Sequence, residues 1–140
     1  MSALLSIKPK YVEAIVKGYK RYEFRKSIFR KEKIEVVYMY STTPVKKIVG
    51  FFRVGRIIED HPERLWNQLK RFSGLNYIEF FRYFEGKERG FAIEIKSVEE
   101  FKTPIDPRDF VPNFVPPQSF YYLDSSILPV IFNHLNTSYY

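Results

Sequence analysis

The sequence contains no cysteine, and this absence excludes several classes of protein at once. Without thiols there is no disulfide framework, no thiolate metal site and no cysteine nucleophile. Histidine is also scarce, since only His61 and His134 occur and neither has metal-ligand spacing around it. The chain also lacks a glycine-rich phosphate loop and a nucleophile elbow. We therefore expect no metal and no other cofactor.

Long hydrophobic runs are absent as well. No apolar stretch approaches the roughly 20 residues that a membrane-spanning helix requires. The first residues lack the charged-then-apolar pattern of a secretory signal. We therefore expect a cytoplasmic protein without membrane contact. A length of 140 residues predicts one domain, residues 1–140, with enough chain for an ordinary core, and we favour a monomer.

Aromatic side chains and positive charge are what the sequence has in excess. With 14 Phe and 11 Tyr, the core is predicted to be rich in rings, with some left for a binding surface. The net charge of +7 lies in the first half: residues 1–60 hold 14 Lys and Arg against 6 Asp and Glu, and residues 61–140 hold 9 against 10. Clustered positive charge favours polyanions, most often nucleic acid. A solvated basic loop is the alternative interpretation.

Hydrophobic periodicity and turn residues predict an α+β protein. The predicted strands are residues 3–7, 21–26, 35–40, 47–58 and 91–101, and the predicted helices begin at Pro9, Pro62 and Asn76. Gly50 and Gly55 suggest bulges that bend the long strand. Residues 104–117 contain five prolines and are predicted to be extended or irregular. A last short helix is predicted at about residues 125–136.

One short run of charged residues stands out. Residues 18–25 read G-x-K-x-x-E-x-R, and the charged members are Lys20, Arg21, Glu23 and Arg25. If the run is a strand, alternation places Tyr22 and Phe24 in the core and Arg21, Glu23 and Arg25 on the other face. The face of Lys20 is not fixed, because it follows a probable turn at Gly18. A carboxylate between cations is either a structural ion pair or the floor of a polar pocket.

The motif resembles the signature of the ASCH domain, a member of the PUA-like superfamily. Flanking segments agree with this resemblance, namely residues 4–9, 38–44, 49–52, 90–95 and 116–120, so that it covers about residues 3–123. The resemblance implies a small stand-alone prokaryotic form with a PUA-like β-barrel of about five to six strands and peripheral helices. It also implies that the motif lines a cleft that contacts RNA, nucleotides or small ligands.

The resemblance implies roles for three motif residues. Lys20 would hold an anionic or carbonyl group, Arg25 could bind phosphate bidentately, and Glu23 could accept from a base or ribose hydroxyl or hold the two cations in place. The full set of expected binding residues is Lys8, Lys20, Arg21, Glu23, Arg25, Lys26, Ser41, Thr42, Gln118, Ser119 and Tyr122. Structural alternatives are an exposed turn for Lys8, turn capping for Ser41 or Thr42, and core packing for Tyr122.

Three classes of function remain open at this point. The leading expectation is a binding module for RNA or a modified nucleotide that could serve in regulation and has no catalytic residues. The second is a small hydrolase using Lys20, Glu23 and Arg25. This chain has Glu23 where acetylcytidine amidohydrolases of the family place a threonine nucleophile, whereas a ribonuclease could use the three residues as acid, base and phosphate clamp. The third is a protein-interaction adaptor, suggested by the aromatic residues and the proline-rich tail.

Overall fold

A computed structural model describes residues 1–29 and 33–123 as one curled sheet flanked by three helices. The elements in chain order are β1 (Ser2–Ile7), α1 (Pro9–Lys17), β2 (Tyr22–Arg25), β3 (Val36–Ser41), β4 (Lys47–Asp60), α2 (Pro62–Leu69), α3 (Tyr77–Tyr83), β5 (Gly90–Ile105) and β6 (Phe120–Leu123). Short 3-10 helices cover Lys70–Phe72 and Pro107–Asp109. The helix predicted at about residues 125–136 lies outside the described residues. Within them, no helix is long and apolar enough to cross a membrane.

The six strands form one sheet in the order β2-β5-β4-β3-β1-β6. β1 and β3 are parallel, and the other neighbouring pairs are antiparallel. The register between β4 and β5 shifts between Ile48 and Gly50 and again between Val54 and Ile57, which confirms the predicted bulges at both glycines of β4. The α+β class and the strand number are confirmed. Within the described strands β2 and β6 stay unpaired edges, so the expected barrel is a curled, open sheet.

Helix α1 connects β1 to the motif strand and ends where the sequence predicts. Pro9 occupies its first turn, and Gly18 ends it in the left-handed conformation at φ 86°. Val12 and Ile15 are buried against the sheet. The backbone N–H groups of residues 19 and 20 both donate to the carbonyl oxygen of Ala14, at 2.9 and 3.1 Å. This tight exit delivers Lys20 to the start of β2 in a fixed position.

Helices α2 and α3 pack on the sheet face to which β2 contributes two rings. This cluster consists of Tyr22, Phe24, Leu65, Leu69, Phe80, Phe84 and Ala92. Phe24 meets Phe80 and Phe84 edge to face, with centroids 5.1 and 6.4 Å apart. The predicted core role of Tyr22 and Phe24 is confirmed. Trp66 is partly buried and packs against this cluster.

The predicted strands differ from the structure near the C-terminal end of the described chain. β5 extends to Ile105, four residues beyond the predicted end, and β6 lies in a segment to which the sequence assigned no element. β6 exists because it pairs with β1, some 118 residues earlier in the chain, for example through Leu4 and Tyr121. The prolines that surround these segments dominate the local signal, and a four-residue edge strand has too few alternating positions to show a period.

Candidate functional site

A cavity of about 480 Å³ opens between β1, α1, β2 and α3, and we call it the site cavity. Its lining residues are Ser6, Ile7, Lys8, Lys10, Tyr11, Lys20, Glu23, Phe24, Arg25, Leu75, Glu79, Arg82 and Tyr83. Five of these side chains are cationic and two are anionic, so the cavity carries an excess of positive charge. Its volume lies within the range of small-molecule and cofactor sites.

Lys20 is the most buried charged residue of the site cavity, with 2% of its surface exposed. Its Nζ donates to the carbonyl oxygen of Ser73 at 2.7 Å and lies 5.4 Å from the ring centroid of Tyr11 and 5.1 Å from that of Phe24. Burial lowers the pKa of the Lys20 ammonium, and Glu23 opposes part of that shift. A buried ammonium with a lowered pKa gives up its proton more readily than an exposed lysine.

Glu23 is buried between two cations without a hydrogen bond to either. Its Oε1 lies 3.9 Å from Lys20 Nζ, and its Oε2 lies 3.8 Å from Arg25 Nη1. Both distances exceed that of an N–H···O hydrogen bond. Among the residues that the structure describes, no donor satisfies this carboxylate, although it is only 6% exposed. Buried acceptors are normally hydrogen-bonded, so a carboxylate with free lone pairs beside a cavity is suited to a ligand donor.

Arg25 is fixed by backbone carbonyl groups at the other side of Glu23. Its Nη2 donates to the carbonyl oxygen of Ser119 at 2.9 Å and lies 3.4 Å from that of Ser6. Its side chain is 16% exposed, so the guanidinium is held in place while part of it faces the cavity. Anchoring by neutral carbonyls leaves its positive charge uncompensated except by Glu23, which favours an anionic ligand.

A bridge between α1 and α3 closes one wall of the site cavity. Glu79 Oε2 accepts from the Tyr11 hydroxyl at 2.7 Å and from Lys10 Nζ at 3.0 Å, while Oε1 accepts from the backbone of Asn76 at 3.2 Å. These hydrogen bonds hold the pKa of Glu79 down at about 2. The bridge orients the ring of Tyr11 beside Lys20. It thereby couples the first turn of α3 to the buried cation.

Tyr83 forms the wall beside Arg25, and Lys26 lies over its ring. Lys26 Nζ lies 4.6 Å from the ring centroid of Tyr83, and burial raises the pKa of the Tyr83 hydroxyl, an effect that Arg25 partly opposes. Lys26 itself is exposed and is not among the lining residues. This wall therefore presents an aromatic ring with one cation over it, a combination suited to contact with a base or a phosphate.

The structure brings together some of the predicted site residues and separates others. Lys8, Lys20, Glu23 and Arg25 line the site cavity. Ser119 does not line it, but its carbonyl oxygen accepts from Arg25. Arg21 precedes β2, and its guanidinium carbon lies 5.2 Å from the ring centroid of Phe72, so Arg21 does not join Glu23 and Arg25 in the cavity.

The remaining four predicted residues do not line the cavity. Ser41 is buried as the last residue of β3, opposite Ile7, and the backbone of Thr42 donates to the Ile7 carbonyl at 3.1 Å. Gln118 is exposed. Tyr122 packs against the main hydrophobic cluster, edge to face with Phe120 at 5.2 Å.

Sequence reasoning missed Tyr11, Glu79, Arg82 and Tyr83 as members of the site. Tyr11 reads as one position of an apolar helical stripe, and the α3 residues read as helix surface. The only local signal is the Asn76 and Glu79 pair, whose spacing is that of a capping box, and the structure contains that capping box. Its contact with Tyr11 spans 68 residues and has no local signature.

The described residues contain no candidate metal site. No group of three or more His, Asp or Glu side chains in residues 1–29 and 33–123 could hold a metal ion. The polar groups that the cavity offers to a ligand are therefore ammonium, guanidinium, carboxylate and phenol groups.

Comparison with known proteins identifies the family. Residues 5–105 match the ASCH domain, so the chain belongs to the ASCH domain family. A relative from Zymomonas mobilis, named ASCH domain-containing ribonuclease, is 32% identical over 124 residues, which cover 86% of this chain and 83% of that protein. The expected family is thus confirmed.

Solved structures agree with this assignment. The crystal structure of ASCH from Zymomonas mobilis superposes with a TM-score of 0.87 and 29% identity over 94% of both chains. The N-terminal domain of Staphylothermus marinus McrB superposes with a TM-score of 0.58 at 10% identity, over 94% of this chain and 93% of that one, and shares the fold alone.

Proposed function

We propose that this ASCH protein binds single-stranded RNA and cleaves it in the site cavity. The observation that carries the proposal is the group of buried Lys20 and Glu23 with partly buried Arg25, in which the carboxylate keeps free lone pairs between two cations. The ribonuclease name of the Zymomonas mobilis relative supports the choice of RNA as the ligand. The cytoplasmic location and the monomeric state expected from the sequence stay predictions.

Arg25 and Lys20 bind the phosphate in this proposal. The guanidinium of Arg25 is positioned by two backbone carbonyls and can offer its remaining N–H groups to two phosphate oxygens. Lys20 has one N–H bonded to Ser73 and two others available. Charge developing on the phosphate during cleavage is stabilised by donors that need no reorganisation, because the protein holds them in place.

Glu23 and Lys20 move the protons. Glu23 accepts the proton of the ribose 2′-hydroxyl while the 2′-oxygen attacks the adjacent phosphorus. The bond from phosphorus to the 5′-oxygen of the next nucleotide breaks, and Lys20 donates a proton to that oxygen. The products are a 2′,3′-cyclic phosphate and a free 5′-hydroxyl, and the reaction consumes no water. The lowered pKa of Lys20 brings this acid closer to neutral pH, where general acids are most efficient.

The proposal is tested with an end-labelled single-stranded RNA and purified protein in the presence of a chelator. We expect cleavage by wild type, with cyclic phosphate ends detected by mass spectrometry. The same strand with 2′-deoxyribose at the cleaved positions should bind and stay intact. Lys20→Met and Glu23→Gln should each reduce cleavage by at least 100-fold, in line with the loss of one acid or base. Arg25→Gln should weaken binding.

Lys87→Met is the matched control for the lysine substitution, because Lys87 lies in an exposed turn away from the cavity. It should cleave like wild type. Thermal unfolding of each variant shows whether a loss of activity reflects a loss of fold. Binding without cleavage would contradict the catalytic part of the proposal and leave RNA binding. The absence of both binding and cleavage would contradict the whole proposal. Cleavage that requires a metal would contradict the proton transfers assigned here.

A further inference from the structure

A second cationic surface lies outside the site cavity, around an exposed ring. We call it the Phe72 patch, and it consists of Arg21, Lys70, Arg71 and Phe72. Phe72 is 39% exposed. The Cζ atom of Arg21 lies 5.2 Å from the centroid of its ring, and that of Arg71 lies 5.8 Å from it. Two guanidinium groups therefore flank a ring that remains accessible to solvent.

Among the described residues, the cations of the Phe72 patch differ from most other arginines in having no acidic partner. Arg56, Arg64, Arg89 and Arg108 each form an ion pair with a nearby carboxylate. Within residues 1–29 and 33–123, no carboxylate lies within ion-pair distance of Arg21, Lys70 or Arg71. Their positive charge is therefore available to an anion.

The exposure of Phe72 is imposed by the backbone. The 3-10 helix Lys70–Phe72 has no buried residue, and Phe72 belongs to none of the three core clusters. The backbone N–H of Arg21 donates to the carbonyl oxygen of Phe72 at 2.8 Å, which ties this turn to the start of β2. The ring is thus held on the surface, where it contributes little to the core.

The Phe72 patch adjoins the site cavity along both chain segments. Arg21 follows Lys20, and Phe72 precedes Ser73, whose carbonyl accepts from Lys20 Nζ. Consecutive Cα atoms are about 3.8 Å apart. One extended strand of a few nucleotides can therefore reach from the cavity to the patch.

We propose that the Phe72 patch binds a nucleotide of the same RNA strand whose phosphate is held in the site cavity. The base stacks on the ring of Phe72, and the phosphates on either side of it contact Arg21 and Arg71. This inference rests on the proposed function. It assigns to Arg21 a role as a contact for the flanking strand, since its side chain does not reach the cavity.

The test compares two lengths of 2′-fluoro RNA, which has no hydroxyl to attack its own phosphate. Fluorescence anisotropy gives the affinity for a dinucleotide and for a strand of about ten nucleotides, which is within the site sizes of single-strand binders. Phe72→Ala should lower the affinity for the longer strand by roughly 5- to 100-fold, which is the effect of losing one stacked base. The affinity for the dinucleotide should stay unchanged. Phe110→Ala, with the same 39% exposure, is the control and should change neither.

Salt dependence separates stacking from charge in the same assay. Phe72→Ala should keep the slope of log affinity against log salt, because a stacked base releases no counterions. Arg71→Gln should reduce the magnitude of that slope by about 0.7, the value for one phosphate contact on a single strand. A reduced slope for Phe72→Ala would contradict the stacking role.

Arg25→Gln distinguishes failure of this inference from failure of the proposed function. If Arg25→Gln weakens both strands and Phe72→Ala weakens neither, the patch is not an RNA contact and the cavity proposal stands. If Phe72→Ala weakens both strands equally, the patch does not act on a flanking nucleotide. If the patch variants weaken binding of the long strand and Arg25→Gln does not, no single strand occupies both the cavity and the patch. The cavity proposal is then wrong as well.

Discussion

At the scale of single residues, the burial of Lys20 is the least expected feature. Removing an ammonium from water is costly, and its partners here are one carbonyl, two rings and a carboxylate at 3.9 Å. Such incomplete compensation is typical of residues that a protein keeps for function at the expense of stability. The lowered pKa of Lys20 follows from the same incomplete compensation.

Glu79 provides a residue-scale prediction about pH. Its pKa is lowered from the ordinary 4.5 to about 2 in the folded protein. A depressed carboxyl pKa means that the ionised form stabilises the fold above about pH 4.5 and that this contribution is lost as pH falls toward 2. Glu79→Gln should therefore lower the free energy of unfolding at neutral pH and flatten its acid dependence within that window.

Chemical denaturation at several pH values checks this prediction. Glu85→Gln is a suitable control, because Glu85 is exposed just after the same helix and forms no ion pair among the described residues. It should leave the acid dependence as in wild type. An unchanged profile for Glu79→Gln would mean that the bridge to Tyr11 and Lys10 does not stabilise the fold.

At the scale of elements, the two glycines of β4 lie at bulges but have different neighbours. A Cβ at Gly50 would overlap the backbone carbonyl oxygen of Glu99 on β5. A Cβ at Gly55 would overlap the carboxylate end of the Glu94 side chain, which can rotate away. Backbone in a paired strand cannot move without breaking the ladder, so the two positions should respond differently to the same methyl group.

Gly50→Ala is therefore expected to destabilise the protein by about 1–3 kcal/mol, the usual effect of overpacking, and Gly55→Ala by less. The Gly55 variant loses at most the contact of Glu94 with Arg56, whose side chain is 72% exposed. Urea unfolding of both variants measures the difference. Equal destabilisation by the two substitutions would show that the close approach of β4 and β5 does not restrict the size of the side chain at residue 50.

At the scale of the whole molecule, several cations are grouped around the short strand β2. The cavity contributes Lys20 and Arg25, the Phe72 patch contributes Arg21 and Arg71, and Lys26 lies on the wall between α3 and β2. Such a surface attracts a polyanion over longer range than a single contact and increases the rate of association.

Binding of single-stranded RNA should consequently weaken as salt rises. About four phosphate contacts predict a slope of about −3 for log affinity against log salt. Titrations of 2′-fluoro RNA at several salt concentrations give this slope. A slope near zero would show that these cations do not contact phosphates, and it would contradict the proposal that this surface binds RNA.

The sequence by itself determined the parts of this protein that depend on local chemistry. Gly18 ends α1 because a left-handed residue follows the helix, and Tyr22 and Phe24 enter the core because side chains alternate along β2. The order of the G-x-K-x-x-E-x-R motif and its flanking segments predicts the ASCH family, which comparison confirms. The charges of Lys20, Glu23 and Arg25 by themselves leave a structural ion pair and a polar pocket both open, and the ASCH resemblance favours the pocket.

Only the tertiary structure decided which residues surround that motif. Glu79 and Tyr83 reach the cavity through the packing of α3, and β6 forms through pairing with β1 across most of the described chain. Arg21 lies against Phe72 because the 3-10 turn at residues 70–72 is tied to the start of β2, where the Arg21 N–H donates to the Phe72 carbonyl oxygen. These placements depend on contacts between residues far apart in sequence. Periodicity reports only which side of an element is apolar, so it cannot assign such partners.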